Sequence, residues 1–221
     1  MAISEPIKVA LIDDQILFRK SLVNILNFMG SIQVILEDTS GITFIEYLES
    51  GQVAPDVLLL DLQLPDMDGI AVTKQIKEKF PDHPLKIIIL SSHPQERYAT
   101  HLLDLGANGY LSKDCEPKEV IKAIEDVYSK GIYFTKSLRD ALKDHHEKQI
   151  PSLDNTALLT DREKDIVLCV CDEMGSREIA EKLSISVKTV ETHRNNIMHK
   201  LGTKSISGVI LYAVRMGWVV L

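Results

Sequence analysis

Five polar residues stand at the ends of four apolar stretches of the sequence. Asp13 and Asp14 directly follow one stretch, and Asp61 follows another. Ser91 and Lys113 follow two later stretches. Carboxylates that share a site are unfavourable unless a proton or a cation lies among them. Oxygen ligands in an incomplete cage suit Mg²⁺, which keeps several waters and accepts phosphate oxygens.

The same side chains could perform a phosphoryl transfer. Asp61 is the natural nucleophile because it stands alone on the middle strand, with polar groups on either side. The hydroxyl of Ser91 and the ammonium of Lys113 could bind oxygens of the transferred group. Acids at strand ends often only begin turns, as the segment Asp66–Gly69 does. Five polar residues at four strand ends are much less easily explained in that way.

The elements that must position these residues alternate along the first part of the chain. Apolar runs predict strands at Lys8–Ile12, Ile32–Leu36, Val57–Leu60, Lys86–Leu90 and Tyr110–Leu111. Helical periodicity predicts helices at Gln15–Met29, Thr43–Leu48, Ile70–Phe80, Gln95–Leu105 and Pro117–Tyr128. The alternation favours an α/β fold, a doubly wound parallel sheet of five strands. We adopt the flavodoxin-like strand order 2-1-3-4-5, which brings the ends of the first and third strands to one crevice.

The tail from Thr156 has no strand signal and predicts a small all-α domain of four helices. The first helix is capped by a box of Thr160 and Glu163 and runs to about Asp172. The other three are predicted at Arg177–Leu183, Val187–Leu201 and Ser205–Gly217, with Ser176 and Ser186 as caps and Gly202 as a stop signal. The resulting organisation is a first domain at 5–131, a linker at 132–155 and a second domain at 156–221.

Composition excludes several classes of protein. Of the 221 residues, 45% are hydrophobic and 26% are charged, which is ordinary for a globular chain. No apolar run is long enough for a membrane span, and the N-terminus lacks the pattern of a secretory signal. The three cysteines form no CxxC pair, so we expect neither a disulfide scaffold nor a cysteine zinc site. We therefore expect a cytoplasmic protein without a membrane partner.

Charge is distributed unevenly between the two predicted domains. Residues 156–221 hold nine Lys and Arg against eight Asp and Glu, whereas the net charge of the whole chain is −7. Within the tail, residues 186–204 carry four basic side chains and one acidic side chain. A short helix with a polar, basic outer face, reached by a tight turn from another helix, suits the major groove of DNA. The alternative is a solvated face of a helical unit that only packs.

The first part of the chain resembles the receiver domain of bacterial two-component response regulators. The resemblance rests on four segments and spans residues 5–131; the segments are 9–14 (VALIDD), 59–69 (LLDLQLPDMDG), 88–92 (IILSS) and 106–113 (GANGYLSK). It implies that Asp61 accepts a phosphoryl group from a sensor histidine kinase. It further implies that Asp14, Asp61 and the backbone carbonyl of Gln63 bind Mg²⁺, with Asp13 acting through water.

The same resemblance assigns the remaining residues of the site. Ser91 and Lys113 would hold the phosphoryl oxygens. Ser91 and Tyr110 would form a hydroxyl–aromatic pair that rearranges on phosphorylation. The protein would then be no enzyme apart from self-phosphorylation and autodephosphorylation at Asp61.

The tail resembles the LuxR-type DNA-binding domain, so that the whole chain is similar to the NarL/FixJ class of transcriptional regulators. The resemblance rests on the segments 159–163 (LTDRE), 179–183 (IAEKL), 186–197 (SVKTVETHRNNI) and 200–202 (KLG). It implies a helix-turn-helix from Ser176 to Asn195. The residues that would face bases are Glu191, Thr192 and Asn195, and those near phosphates are Lys188, Thr189, Arg194 and Lys200. Glu191 would repel phosphate, so it needs a cytosine amino group or a basic neighbour.

The resemblance also implies partners. The last helix, Ser205–Gly217, would pair two copies into a homodimer on double-stranded promoter DNA, although its apolar residues could equally close the small core. RNA polymerase is a further candidate partner. Two other functions stay open: a phosphatase with an aspartyl-phosphate intermediate, and a regulator that works without phosphorylation. Such phosphatases typically place a second acid two residues after the nucleophile, where this sequence has Gln63.

Overall fold

The computed structural model describes residues 5–81, 83–92, 96–136, 159–216 and 218–219. The chain divides into two compact units. The first consists of residues 1–94 and 109–128, and the second of residues 95–108 and 129–221. Most of the predicted linker lies outside the described residues, and the predicted domain boundaries stay a prediction.

A parallel sheet of five strands forms the centre of the first unit. The strands are β1 (Ile7–Ile12), β2 (Ile32–Asp38), β3 (Val57–Asp61), β4 (Lys86–Ser91) and β5 (Gly109–Ser112). Their order is β2-β1-β3-β4-β5, which confirms the predicted topology. Each strand begins or ends within two residues of the predicted bounds. The extra residues include Asp61 and Ser91, so two of the predicted site residues belong to the strands themselves.

Four helices belong to the first unit. They are α1 (Ile16–Phe28), α2 (Gly41–Glu49), α3 (Gly69–Lys79) and α5 (Pro117–Lys130, which enters the second unit at its end). The apolar residues of β3 and β4 are fully buried, because helices of the fold cover the sheet. Their continuous apolar sequence follows from that burial, since neither face of a central strand meets water.

In the described part of the second unit, the chain forms α4 (Glu96–Leu105) and four C-terminal helices. The C-terminal helices are α6 (Asp161–Cys171), α7 (Ser176–Leu183), α8 (Val187–Leu201) and α9 (Ile206–Arg215). The Thr160–Glu163 capping box and the Ser186 cap both form as predicted. Gly202 ends α8 with a φ of +65°, a conformation that glycine adopts at little cost.

The predicted capping role of Ser176 is wrong. Gly175 occupies the cap position of α7, and its backbone N–H donates to Glu178 Oε2 at 2.7 Å. Ser176 is instead the first residue of the helix and is buried. Its hydroxyl is therefore available for a contact elsewhere.

Long apolar helices are not a feature of this fold. Along the described ranges, no helix has the length and apolar character that crossing a bilayer requires. The buried apolar residues of the second unit, such as Ile166, Val190 and Val209, come from three different helices. They form the core around which the C-terminal helices pack.

Candidate functional site

Three carboxylates meet at the carboxyl end of the sheet. Asp13 directly follows β1 and Asp61 ends β3, and these strands are neighbours with Ile12 opposite Leu60. One oxygen from each of Asp13, Asp14 and Asp61 lies within 4.8 Å of the others. Asp13 and Asp61 are buried, whereas Asp14 is exposed. The structure therefore brings together the three acids that the strand ends predicted.

Among the described residues, one buried ammonium group forms ion pairs with this cluster. Lys113 Nζ lies 2.8 Å from Asp13 Oδ2 and 2.9 Å from Asp61 Oδ2. The backbone N–H of Lys113 donates to the carbonyl of Ser91 at 2.9 Å, and its ammonium lies 5.2 Å from the ring centre of Phe18. One positive charge does not balance three carboxylates. The remaining negative charge and the oxygen donors fit a divalent cation such as Mg²⁺.

Burial and hydrogen bonding change the pKa of the Asp61 carboxyl in opposite directions. Burial raises its pKa, while hydrogen bonds from Lys113 and from the backbone N–H of Gln63 (3.1 Å) lower it. Burial outweighs these bonds, so the pKa of Asp61 lies above its ordinary value. A cation among the three acids would favour the ionised form, which is the nucleophilic form.

Ser91 and Tyr110 lie on neighbouring strands. Ser91 pairs with Ser112 across β4 and β5, and Tyr110 is two residues before Ser112. Side chains two residues apart on a strand point to the same face, so Ser91 and Tyr110 share one face of the sheet. Both residues are buried. This placement agrees with the predicted pair, whose rearrangement stays a prediction.

One face of α8 presents polar side chains to solvent. Its exposed residues include five predicted DNA contacts, namely Lys188, Thr189, Glu191, Thr192 and Asn195. The opposite side contributes Val190 and Ile197 to the core. Ser186 caps the first turn by accepting from the N–H of Thr189 at 3.0 Å. The helix therefore combines a buried apolar side with an exposed polar side, as a recognition helix requires.

Comparison with known proteins identifies two domains along the chain. Residues 9–125 match the response regulator receiver domain, and residues 157–213 match the luxR family of bacterial regulatory proteins. The chain belongs to the response regulator family. Its two matched domains are those of the NarL/FixJ class, whose members are DNA-binding transcriptional regulators.

Relatives of this response regulator match it along nearly its whole length. The oxygen regulatory protein NreC of Staphylococcus carnosus is 34% identical, covering 94% of this chain and 97% of the relative. The transcriptional regulatory protein DegU of Brevibacillus brevis is 29% identical, covering 96% and 95%. A solved structure of the regulator RcsB in complex with DNA covers 96% of this chain and 99% of RcsB, with 25% identity and a TM-score of 0.57.

Two predicted phosphate contacts of this response regulator bond to other residues of the protein: Arg194, which is buried, and Lys200, which is exposed. Arg194 is buried, and its guanidinium donates to Ser176 Oγ at 2.7 Å and to the carbonyl of Lys130 at 2.9 Å. Lys200 Nζ lies 2.8 Å from Glu163 Oε2. Helix periodicity places Arg194 and Lys200 on α8, but it does not show which residues of the protein they bond to. Their predicted proximity to phosphates stays a prediction that this geometry does not favour.

The predicted dimer helix is largely buried within the second unit. Helix α9 is shorter than predicted and covers Ile206–Arg215. Val209, Ile210 and Ala213 have almost no exposed surface. Closure of the small core therefore accounts for these apolar residues, and pairing through this helix stays a prediction.

Sequence reasoning missed residues that support the cluster of Asp13, Asp14 and Asp61. The buried Arg19 donates to the carbonyl of Asp13 and pairs with Glu37 at 3.4 Å. Gly69 approaches Asp61 so closely that an added Cβ would lie 2.7 Å from the Asp61 carbonyl oxygen. The sequence shows a glycine after the turn-forming Asp68, but its close approach to Asp61 depends on the path of the loop that joins β3 to α3.

Proposed function

We propose that this response regulator accepts a phosphoryl group on the carboxylate of Asp61 and controls transcription by binding promoter DNA. The donor would be the phosphorylated imidazole of a sensor histidine kinase. A single observation carries the proposal: Asp61 lies beside Lys113 and within the cluster of Asp13 and Asp14 at the carboxyl end of the sheet.

The residues of this cluster fit distinct parts of the reaction. A carboxylate oxygen of Asp61 would attack phosphorus, forming an acyl phosphate as the phosphorus–nitrogen bond breaks and the imidazole leaves. The ammonium of Lys113 is hydrogen-bonded to Asp61 in the unphosphorylated protein, and it would pair with the oxygens of the transferred group. Ser91 is the last residue of the neighbouring strand β4, and its hydroxyl would donate to another of these oxygens. Attack of water on the phosphorus of the acyl phosphate would later release inorganic phosphate and return the free carboxylate.

The donor set fits a magnesium ion. Asp13, Asp14 and Asp61 each offer a carboxylate oxygen, and the carbonyl of Gln63 would supply a further ligand. When bound, the ion would neutralise charge on the transferred group. Asp14 is exposed and makes no ion pair among the described residues, so it is available as a ligand.

Phosphorylation would change DNA binding by changing whether the protein is a monomer or a dimer. New charge beside Ser91 would shift the region that includes Tyr110 towards a second arrangement. The phosphorylated form would associate as a homodimer and place two copies of α8 on two half-sites. Such a protein would work in the cytoplasm, where RNA polymerase is a further candidate partner.

The experiment that tests the proposal measures phosphoryl uptake. We expect the wild-type chain, incubated with acetyl phosphate and Mg²⁺, to gain the mass of one phosphoryl group. The Asp61→Asn variant should gain none, because an amide is not a nucleophile in this reaction. Asp114→Asn, an exposed acid next to Lys113, is the matched control and should label as the wild type does. Equal labelling of the Asp61→Asn variant would overturn the assignment.

A further inference from the structure

Arg194 is a buried cation on the helix that presents the predicted DNA contacts. It is 6% exposed, although its neighbour Asn195 is exposed. Burial of a charge is costly unless the charge is paired and hydrogen-bonded. Two of its nitrogens are hydrogen-bonded, Nη1 to the hydroxyl of Ser176 and Nη2 to the carbonyl of Lys130, which lie in the same compact unit, whereas the buried Nε has no hydrogen-bond partner.

Ser176 links Arg194 to a residue of the exposed face. Its hydroxyl accepts from Arg194 Nη1 at 2.7 Å and donates to Oε1 of Glu191. The hydroxyl can do so because Gly175 and Glu178 form the cap of α7 without it. A hydrogen-bonded chain of this kind polarises each of its members and fixes their geometry.

The two carboxylate oxygens of Glu191 have different surroundings. Its Oε1 also lies 3.8 Å from Arg194 Nη1, so the carboxylate has a cation beside it. The side chain is still 54% exposed, and within the described part of the chain Oε2 has no hydrogen-bond partner. One carboxylate oxygen is therefore anchored on α7 while the other is free to accept a bond from outside the protein.

We infer that Arg194 is a positioning residue that, through Ser176, sets Glu191 to accept a hydrogen bond from the exocyclic amino group of a cytosine. This inference rests on the proposed binding of DNA by α8. A carboxylate near DNA is repelled by phosphates, and the adjacent guanidinium offsets that repulsion. Acceptance from cytosine N4 is the base contact that suits a carboxylate in the major groove.

The inference differs from the role that the resemblance gave to Arg194. A residue that neutralises a phosphate contributes about one unit to the slope of log affinity against log salt concentration. A positioning residue leaves that slope unchanged and alters base preference. The two roles therefore predict opposite results for the same substitution.

The test uses the full-length protein, treated with acetyl phosphate and Mg²⁺, and a randomised pool of DNA duplexes. Sequencing of the duplexes that the wild type retains gives its preferred site. Affinities for that duplex, and for duplexes with single base pairs replaced, are then measured by fluorescence anisotropy over a series of KCl concentrations. The variants are Arg194→Gln, Ser176→Ala and Glu191→Gln, and Lys188→Gln is the matched control on the same helix.

We expect the wild type to prefer a cytosine at one position of each half-site by about tenfold. Arg194→Gln, Ser176→Ala and Glu191→Gln should each lose most of that preference with an unchanged salt slope, and Arg194→Gln combined with Glu191→Gln should lose no more. Lys188→Gln should keep the preference and lower the slope by about one per subunit. Should Arg194→Gln fail to fold, as judged by circular dichroism, Ser176→Ala decides the question, because it removes one hydroxyl only.

Three results would overturn the inference. They are a slope lowered by about one in Arg194→Gln with the cytosine preference intact, a preference intact in Ser176→Ala, and a wild-type site without a preferred cytosine. Each of these still leaves a protein that binds DNA selectively. Failure of the wild type to bind any duplex would instead refute the proposed function itself.

Discussion

The ammonium of Lys113 lies 2.9 Å from Oδ2 of Asp61, and each of the two side chains is only 4% exposed. The same ammonium lies 2.8 Å from Asp13. Lys113 is therefore the only described cation that makes an ion pair with Asp13 or Asp61. The pair connects the residue after β5 to the last residue of β3, and its properties determine how the site responds to substitution.

Replacing Lys113 by methionine keeps the length of the side chain and removes its charge. We expect a loss of about 3 kcal/mol in the free energy of unfolding, because the buried carboxylates lose their partner. We also expect phosphoryl uptake from acetyl phosphate to slow at least about tenfold, because the transferred group loses a positive contact. Chemical denaturation and time-resolved mass measurement check the two effects. Lys118→Met, an exposed lysine of α5, should change neither.

Magnesium should stabilise the folded protein through the cluster of Asp13, Asp14 and Asp61. A ligand at a hundred times its Kd adds about 2.7 kcal/mol to the free energy of unfolding. We expect Mg²⁺ to raise the Tm of the wild type and to raise that of Asp14→Asn much less. Asp14 is exposed, so its substitution should not disturb the fold. Calorimetry with and without the ion checks this, and an equal rise in both proteins would exclude Asp14 as a ligand.

The substitution Gly69→Ala should disturb the proposed phosphoryl site by steric overlap, because it changes none of the side chains that would react. The added Cβ would lie 2.7 Å from the carbonyl oxygen of Asp61 and 3.0 Å from Cα of Leu62, which are backbone atoms that cannot turn away. We expect a loss of about 1–3 kcal/mol and slower phosphoryl uptake. Gly30 is the control: its φ is +70°, but nothing lies within 4 Å of an added Cβ. Gly30→Ala should lose stability from backbone strain and keep its rate of uptake.

Acid should weaken the bond between Lys200 and Glu163. Burial raises the pKa of Glu163, but hydrogen bonds from Lys200 and Thr160 outweigh burial and hold the pKa below its ordinary value of 4.5. A lowered pKa stabilises the folded state above the unfolded pKa, and that stability is lost as pH falls through the folded pKa. We expect the Tm difference between wild type and Lys200→Met to be constant above about pH 5 and to shrink below it. A difference that persists unchanged to about pH 3 would contradict this coupling.

Much of the site could be predicted from sequence because parallel sheets follow a simple geometric rule. Apolar runs alone place Asp13, Asp61 and Lys113 at strand ends, and the strand ends on one edge of a parallel sheet converge. The partners of Arg19 and Arg194 could not be predicted in this way. Each makes a hydrogen bond to a backbone carbonyl, and no sequence pattern marks which carbonyl a buried arginine reaches.

The sequence by itself determined the alternation of strands and helices, the caps at Thr160 and Ser186, and the acids and lysine that follow the apolar strands, whereas the strand order was adopted from a known fold and confirmed by the structure. These features depend on local periodicity, on capping chemistry and on which residues directly follow an apolar strand, and short segments encode all three. Only the tertiary structure decided that Ser176 turns its hydroxyl to Arg194, and that Gly69 lies against the backbone of Asp61. The first contact depends on how two helices pack, and the second on the path of the loop between Asp61 and Gly69, so neither follows from local periodicity.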